Sequence, residues 1–387
     1  MTYDFATCPD RTGTDSTKWA RYAGRDILPA WIADMDFVAA PEVREALQRR
    51  LDHGVFGYPS QPPASVAEAV VQYHEREHAW KISPEWLVFT PALVPGLHAT
   101  IRACSAPGES VMTHIPVYPP FLTAPTLSER TARKVPMAWD CGDKRWHMDA
   151  AELEAATPAD ARVFMLCNPF NPLGRVFDRA ELTAIAEYAT RHDMILCSDE
   201  IHCGLVLDEA KRHLPIATLS EEIAQRTVSL FSASKTFNLP GIFCGYAVIP
   251  NPKIRAAYRR VIQGLAHEVN IFGYVGLEAA YRHGEPWRRE LIKTLRGNLD
   301  LLCETVAGTP GVEMRQRPEA TYLCWIDVKA LGFENPQLAF EEGGVGFNNG
   351  ADFGVPGHVR INIACPRPRL EEILRRFRAV AERASGK

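Results

Sequence analysis

Residues 162–202 read RVFMLCNPFNPLGRVFDRAELTAIAEYATRHDMILCSDEIH, and they contain a strand, a helix and a second strand in succession. Residues 162–167 form a short apolar run that predicts a buried strand, ending at an Asn-Pro turn. Residues 179–192 repeat apolar side chains at helical spacing, and residues 194–198 predict the next strand. This order predicts parallel strands joined by a crossover helix.

The same pattern extends along the chain, where residues 227–232 and 244–249 predict two further strands. We therefore expect an α/β protein with helices on both faces of a mainly parallel sheet. In such sheets, ligands bind beyond the carboxyl ends of the strands. Polar residues cluster at three of these ends, at residues 168–174, 199–202 and 232–235.

The two ends of the chain differ from its middle. Residues 1–45 are loop-rich, and the pattern after about residue 280 changes to a helix at 287–307 and a short strand at 321–326. We therefore predict a large domain over residues 46–280 and a smaller α+β domain built from residues 1–45 and 281–387.

Composition narrows the possible partners and compartment. The 387 residues carry a net charge of −4, which argues against a basic surface and hence against a nucleic-acid partner. We find no apolar run of the roughly 20 residues that a membrane span needs, and no secretory signal at the start. The ten cysteines include no C-x-x-C pair. We expect reduced thiols, no membrane association and a cytoplasmic location.

Lys235 lies in the segment Ser232-Ala-Ser234-Lys235, directly after a predicted strand. A lysine sheltered in a cleft can lose its proton and form a Schiff base with a carbonyl compound. The two serines and the nearby backbone N–H groups are suited to a phosphate. Taken alone, the segment is a weak signal and favours a surface lysine on a turn.

Asp199 and His202 follow a neighbouring strand, where a buried carboxylate would hold a ring nitrogen in its protonated form. The alternative is a metal site that uses nearby His, Cys and carboxylate side chains. A metal needs three or four converging ligands, and alternation along the chain points these side chains to different faces. We therefore expect no metal.

Three other segments complete the candidate site. Asn171 lies in a rigid Asn-Pro loop that would fix its amide as a hydrogen-bond donor. Residues 89–97 lead into a helix whose N-terminus favours an anion, and Tyr118 lies between prolines, where it would stack on a planar ring. Each segment alone also fits a plain turn or core. Together they supply what pyridoxal 5′-phosphate requires.

The chain resembles the fold-type I pyridoxal 5′-phosphate enzymes of the class I/II aminotransferase superfamily over essentially its whole length. Within that superfamily it is similar to the MalY/PatB-type cystathionine β-lyase branch of carbon–sulfur lyases. The resemblance rests on several motifs in register: LPAWIADMDF at 28–37, HGVFGY at 53–58, PVYPPF at 116–121, SDEIH at 198–202, SASKTFN at 232–238 and RINIACPR at 360–367. It implies a mainly parallel seven-stranded-type sheet in the large domain.

The resemblance also implies a role for each residue. Lys235 would bond the cofactor and move the substrate Cα proton, Asp199 would pair with the pyridine nitrogen, and Tyr118 would stack on the ring. Asn171, with His202 nearby, would bind the phenolic oxygen. The predicted phosphate contacts are Ser232, Ser234, Ala92, Leu93 and Val94. Arg360 would clamp the substrate carboxylate by two parallel hydrogen bonds.

The same resemblance implies a homodimer with shared active sites, in which Tyr58 reaches the phosphate of the neighbouring subunit. Asp36 and Tyr58 are predicted to join Arg360 in the substrate-binding set. The expected reaction is β-elimination from an S-substituted L-cysteine to a thiol, pyruvate and ammonia. Transamination and decarboxylation-linked oxidative deamination are the alternatives.

The chain departs from the family pattern at three places. Phe243 stands where many aminotransferases have a phosphate-binding arginine, which the lyase branch also lacks. The loops read NPFNPLG at 168–174, where NPHNPTG is usual, and TPALV at 90–94, where glycine is common in place of Ala92. Because these two loops lie at the expected site, they put the usual substrate in doubt.

Overall fold

A computed structural model describes residues 3–386. Residues 1, 2 and 387 of the predicted small domain lie outside the described residues. The helices are α1 Thr17–Ala20, α2 Pro41–His53, α3 Ala64–His78, α4 Leu93–Cys104, α5 Pro120–Leu127, α6 Ala150–Ala156, α7 Arg179–Arg191, α8 Glu221–Gln225, α9 Pro252–Leu265, α10 Ile271–His283, α11 Glu285–Ala307, α12 Pro336–Glu342 and α13 Arg367–Ala384. The strands are β1 Leu28–Pro29, β2 Leu87–Thr90, β3 Ser110–Ile115, β4 Thr131–Asp140, β5 Arg145–Met148, β6 Ala161–Cys167, β7 Ile195–Asp199, β8 Thr227–Phe231, β9 Gly245–Val248, β10 Leu323–Asp327, β11 Val345–Gly346, β12 Asn348–Asn349 and β13 His358–Asn362.

The main sheet has the strand order β2-β9-β8-β7-β6-β3-β4-β5. The five central strands β8, β7, β6, β3 and β4 are parallel, as predicted. β5 is an eighth strand that joins the edge as an antiparallel neighbour of β4. The expected α/β architecture with a mainly parallel sheet is confirmed.

The prediction of parallel strands is wrong for β9, which pairs antiparallel with β8. The connection between them, residues 232–244, contains one short 3₁₀ helix at Pro240–Ile242. A parallel return usually uses an α-helix as its crossover, and these 13 residues contain none. The chain therefore reverses direction here and carries Lys235 across the end of the sheet.

A smaller antiparallel sheet, β10-β13-β12, carries Arg360 on its central strand. β1, near the start of the chain, pairs with β11, so the two ends of the chain meet. One buried apolar cluster includes both Phe231 from β8 and Phe377 from α13. Because this core links the two predicted domains, their boundary stays a prediction.

Two features fix the loop between β6 and α7, a helix cap at its end and a glycine within it. Asp178 and Glu181 form a capping box that begins α7, each side chain accepting a hydrogen bond from the other's backbone N–H at 3.0 Å. Gly174 has φ +68°, and a Cβ there would lie 2.6 Å from Cβ of Pro318. Glycine is therefore required at this turn, which presents Asn171 to the site.

Candidate active site

A cavity of about 430 Å³ lies beyond the carboxyl ends of β6, β7 and β8. This is where ligands bind in open α/β sheets. Most of the sequence-predicted residues line it: Ala92, Leu93, Val94, Tyr118, Asn171, Asp199, His202, Ser232, Ser234, Lys235 and Arg360. The structure therefore brings together side chains that lie as much as 268 positions apart in the sequence.

Lys235 lies in the turn that follows β8. Its Nζ donates a hydrogen bond to the backbone oxygen of Ala33 at 2.6 Å. Burial and the nearby charge of Arg360 lower the pKa of Lys235 to about 8, although Asp34 and Asp199 oppose the shift. About a tenth of this amine is therefore unprotonated at pH 7 and about half at pH 8, and the unprotonated state is the one that attacks a carbonyl carbon.

Asp199 is the last residue of β7 and is 5% exposed. Its Oδ1 accepts a hydrogen bond from the N–H of Ile201 at 3.1 Å. Burial, with a contribution from Glu200, raises the pKa of Asp199 to about 7, against the opposing effects of the Ile201 N–H and Lys235. A cationic donor in the cavity would favour the ionised form of this carboxyl group.

Arg360 projects from β13 and is also buried. Its Nη1 donates to Oδ1 of Asn171 at 3.0 Å, and its Nη2 donates to Oδ1 of Asn348 at 2.7 Å. Its guanidinium carbon lies 4.7 Å from the ring centre of Phe353. Burial lowers the pKa of Arg360 to about 10, so the group stays charged at neutral pH.

Two buried nitrogens at the cavity have no hydrogen-bond partner among residues 3–386, Nδ1 of His202 and Nε of Arg360. Burial, Lys235 and Arg360 together lower the pKa of His202 to about 3, so its ring is neutral. Buried polar atoms in native proteins are normally paired. These groups are therefore suited to a polar ligand in the cavity.

The predicted phosphate contacts lie at one end of the cavity. α4 begins at Leu93, and the N–H groups of its first turn have no partner within the helix. Oγ of Ser232 is 2.9 Å from Oγ of Ser234 and 2.7 Å from the backbone oxygen of Cys244. A helix N-terminus beside two hydroxyl groups is suited to a phosphate.

The donor set as a whole fits pyridoxal 5′-phosphate. Lys235 provides an amine, Asp199 a buried acid for a ring nitrogen, and the start of α4 an anion site. His202 has an unpartnered ring nitrogen on the same cavity. Among residues 3–386, no group of three or more His, Cys, Asp or Glu side chains is placed to hold a metal ion.

Asp36 does not line the cavity in this structure, so its contact with substrate stays a prediction. Its side chain is 1% exposed and lies 3.0 Å from Nζ of Lys18 and 2.9 Å from Nη1 of Arg11. Trp19 also donates to it at 3.2 Å. A carboxylate surrounded by cations in this way anchors the N-terminal segment.

Tyr58 also lies away from the cavity and is 100% exposed. It borders a separate groove beside Phe56, Phe89 and Phe272. Val55 and Phe56 are 61% and 54% exposed. The predicted role of Tyr58 therefore depends on a second subunit.

Several cavity contacts were missed at the level of sequence. Trp31 and Ala33 lie in the motif at 28–37, and their backbone oxygens accept hydrogen bonds from Arg360 and Lys235. Asn348 lies in the glycine-rich stretch 343–350 and binds Arg360. Backbone oxygens leave no signal in residue type, whereas an isolated asparagine beside glycines resembles an ordinary turn.

Comparison with known proteins agrees with this site. The family model described as aminotransferase class I and II matches residues 32–377. Cystathionine beta-lyase PatB of Bacillus subtilis (strain 168) is 35% identical over 383 residues, which span 96% of this chain and 97% of the relative. The described helices include none that is long and apolar enough to cross a membrane.

Two solved structures have the same fold. The crystal structure of OvoB superposes with a TM-score of 0.95 at 42% identity, covering 98% of this chain and 99% of that one. Cystalysin from Treponema denticola, whose crystal structure contains pyridoxal 5′-phosphate, superposes with a TM-score of 0.93 at 29% identity, covering 99% and 100%.

Proposed function

Since the chain belongs to the class I and II aminotransferase family of pyridoxal 5′-phosphate enzymes, we propose that it is a carbon–sulfur lyase acting on an S-substituted L-cysteine. The products are a thiol, pyruvate and ammonia. The observation that carries this proposal is the 35% identity to a cystathionine beta-lyase over nearly the full length of both chains. The cavity residues alone would serve transamination equally well, because both reactions begin by removing the Cα proton.

Pyridoxal 5′-phosphate, when bound, withdraws electrons from the Cα of an amino acid joined to it. Asp199 would hold the pyridine nitrogen in its protonated form, which strengthens that withdrawal. The amine of Lys235 would accept the Cα proton. A lysine whose pKa is near 8 is well matched to this task at neutral pH.

Arg360 would bind the substrate carboxylate. Its unpartnered Nε and its fork of N–H groups suit a carboxylate with two oxygens. Asn171 accepts a hydrogen bond from the same guanidinium, so it would set the angle of the fork as well as contact the cofactor's phenolic oxygen. The Tyr118 N–H donates to the backbone oxygen of Asn171 at 3.1 Å, which ties the proposed stacking residue to this group.

We also propose a homodimer in which the partner subunit's Tyr58 completes the phosphate site. The supporting observation is the exposed apolar run Val55–Phe56 next to Tyr58, together with Phe243, which is 54% exposed at the rim of the cavity. Exposed apolar patches of this kind mark protein interfaces. All ten cysteines are free thiols, which supports the proposed cytoplasmic location.

The reaction is tested with purified holoenzyme, L-cystathionine and a series of S-alkyl-L-cysteines, following thiol, pyruvate and oxygen together. Equal amounts of thiol and pyruvate, without an amino acceptor, support the proposal. A keto acid that retains sulfur and forms only with an acceptor would indicate transamination. Oxygen uptake with an intact carbon–sulfur bond would indicate oxidative deamination, and either result overturns the proposal.

Lys235→Ala serves as the negative control, because it removes the amine and leaves the other residues that line the cavity in the sequence. We expect this variant to lose turnover and the visible absorbance of the bound cofactor. Full activity in Lys235→Ala would contradict the assigned role of this lysine.

A further inference from the structure

The backbone of residues 31–37 crosses the active site outside any strand or helix. We call it the carbonyl segment, because its backbone oxygens accept hydrogen bonds from side chains instead of from a neighbouring strand. Buried backbone groups outside regular structure need partners of this kind. Six of these hydrogen bonds come from two directions, strand β13 and the turn at residues 233–239, which we call the Lys235 turn. Arg11, Lys18 and Tyr322 donate three more.

The Lys235 turn holds one side of the carbonyl segment. Lys235 donates to the oxygen of Ala33 at 2.6 Å. Asn238, three residues later in the same turn, donates through Nδ2 to the oxygens of Met35 at 3.1 Å and Phe37 at 2.9 Å. Its Oδ1 accepts a hydrogen bond from the N–H of Met35 at 2.9 Å. Asn238 therefore clamps the segment by three hydrogen bonds.

Strand β13 holds the other side. Asn362 donates through Nδ2 to the oxygens of Ile32 and Asp34, both at 2.7 Å. Arg360, two residues earlier on the strand, donates to the oxygen of Trp31 at 3.0 Å. The carbonyl segment thus connects the lysine amine to the arginine that would bind substrate.

We propose that Asn238 is a positioning residue for Lys235. Asn238 clamps the carbonyl segment to the Lys235 turn and thereby fixes the position of the Ala33 oxygen. This oxygen is the acceptor that holds the Lys235 amine whenever the amine is not bonded to the cofactor. The inference rests on the proposed function only in taking Lys235 as the lysine that bonds the cofactor.

The local backbone supports this role. Asn238 has φ +55°, a left-handed conformation that asparagine tolerates better than most residues. Two backbone hydrogen bonds close the turn, from Phe237 to Ala233 and from Leu239 to Ser234, each at 2.9 Å. The turn therefore fixes the Lys235 and Asn238 side chains relative to each other, and both reach the same segment. Tyr322 adds a hydroxyl that donates to the Ala33 oxygen at 3.2 Å.

The held amine lies among several charges. Arg360 on β13 disfavours its protonated form, whereas Asp34 on the carbonyl segment and Asp199 on β7 favour it. His202 is neutral because burial and the two cations lower its pKa to about 3. Tyr322 is neutral as well, because burial raises the pKa of its hydroxyl. A carbonyl oxygen at hydrogen-bond distance favours the ammonium form. Displacing that oxygen should therefore make the amine easier to deprotonate.

The test uses Asn238→Gly, which keeps the left-handed backbone accessible and removes the clamp. The full-length chain is stripped of cofactor, pyridoxal 5′-phosphate is added, and the rate at which the bound-cofactor absorbance appears is measured against pH. For the wild type we expect a midpoint near the pKa of Lys235, about 8. For Asn238→Gly we expect a midpoint about one pH unit lower, the effect of losing a hydrogen bond to a charged group.

The matched control is Asn251→Ala, because Asn251 also makes three side-chain hydrogen bonds, with Gln225, Lys253 and Ile254, but does so at the start of α9. We expect its midpoint to equal that of the wild type. In the holoenzyme, Asn238→Gly should lower kcat by about tenfold or more with little change in KM, since it displaces the amine and leaves Arg360 in place.

A wild-type midpoint in folded Asn238→Gly, or an equal shift in Asn251→Ala, would overturn the proposal. If Asn238→Gly does not fold by circular dichroism, Asn238→Ser is judged by the same criterion. The cofactor-binding midpoint needs no carbon–sulfur substrate. A shifted midpoint in an enzyme that releases no thiol would therefore refute the lyase assignment and leave the role of Asn238 intact.

Discussion

Replacing Asp199 with asparagine should reduce activity and at the same time stabilise the cofactor-free chain. The carboxyl group is 5% exposed, and burial raises its pKa from 3.8 to about 7. Each pKa unit corresponds to about 1.4 kcal/mol, so ionised Asp199 costs the folded chain up to about 4 kcal/mol. Asparagine has nearly the same shape and has no charge to bury.

The direction in which stability changes with pH follows from how many protons the folded and unfolded chains bind. Below about pH 4 the carboxyl group is protonated in both the folded and the unfolded chain, and there is no penalty. Between about pH 4 and 7 the unfolded chain ionises first, so the wild type loses stability as the pH rises. Above about pH 7 the penalty is complete and constant. The free energy of unfolding of Asp199→Asn should therefore rise relative to that of the wild type between about pH 4 and 7 and stay higher at pH 8.

The assay is urea unfolding of cofactor-free wild type and Asp199→Asn at pH 5 and pH 8, with Asp160→Asn, an exposed carboxylate, as the control. A difference between wild type and Asp199→Asn that does not change with pH would refute the reasoning. Adding pyridoxal 5′-phosphate should reduce the difference at pH 8, because its ring nitrogen supplies a partner for the carboxylate. Activity of the loaded variant should fall by about 10²–10³-fold.

Three further substitutions test other parts of the site. Arg360→Lys keeps the charge and loses the planar fork, so kcat/KM should fall by about 10- to 100-fold, the effect of one lost charge-assisted hydrogen bond. The control is Arg288→Lys, which changes a guanidinium on α11 outside the cavity and should leave kcat/KM unchanged. Wild-type kcat/KM in Arg360→Lys would contradict the proposed clamp on the substrate carboxylate. Tyr58→Phe should weaken cofactor retention, measured by dialysis and absorbance, without dissociating the dimer in sedimentation; unchanged retention would remove Tyr58 from the phosphate site. Gly174→Ala should lower the free energy of unfolding by about 2 kcal/mol or more, because its Cβ would contact Pro318 at 2.6 Å and its φ is +68°. The control is Gly264→Ala on helix α9, where open space surrounds the new Cβ, and this variant should not be destabilised. Equal stability of the two variants would refute the contact with Pro318.

The central sheet and the position of the site follow from short-range patterns. The run at 162–167 and the helical spacing after it correspond to β6 and α7 within a residue at each end. Asp199 and Lys235 could be placed at one sheet edge because the carboxyl ends of parallel strands lie together. Neither inference needs any knowledge of the rest of the chain.

Contacts between segments that lie far apart in the sequence are harder to predict from the sequence. The reversal at β9 depends on the path of residues 232–244, which apolar periodicity does not describe. The family resemblance predicts Asp36 in the substrate-binding set, yet in the structure its partners are Lys18 and Arg11, which precede it by 18 and 25 residues. Sequence spacing gives no indication that three such charges converge in a buried cluster.

The carbonyl segment shows why residue types at this site are constrained beyond those that would touch the cofactor. A β-strand at this place would use its backbone oxygens on a neighbouring strand and leave none for Lys235. An irregular segment frees the Ala33 oxygen, but each remaining buried oxygen then needs a donor. Asn238 and Asn362 each supply two such bonds from a single amide group. The asparagine in SASKTFN and the one in RINIACPR therefore follow from a backbone path that brings a carbonyl group to the lysine.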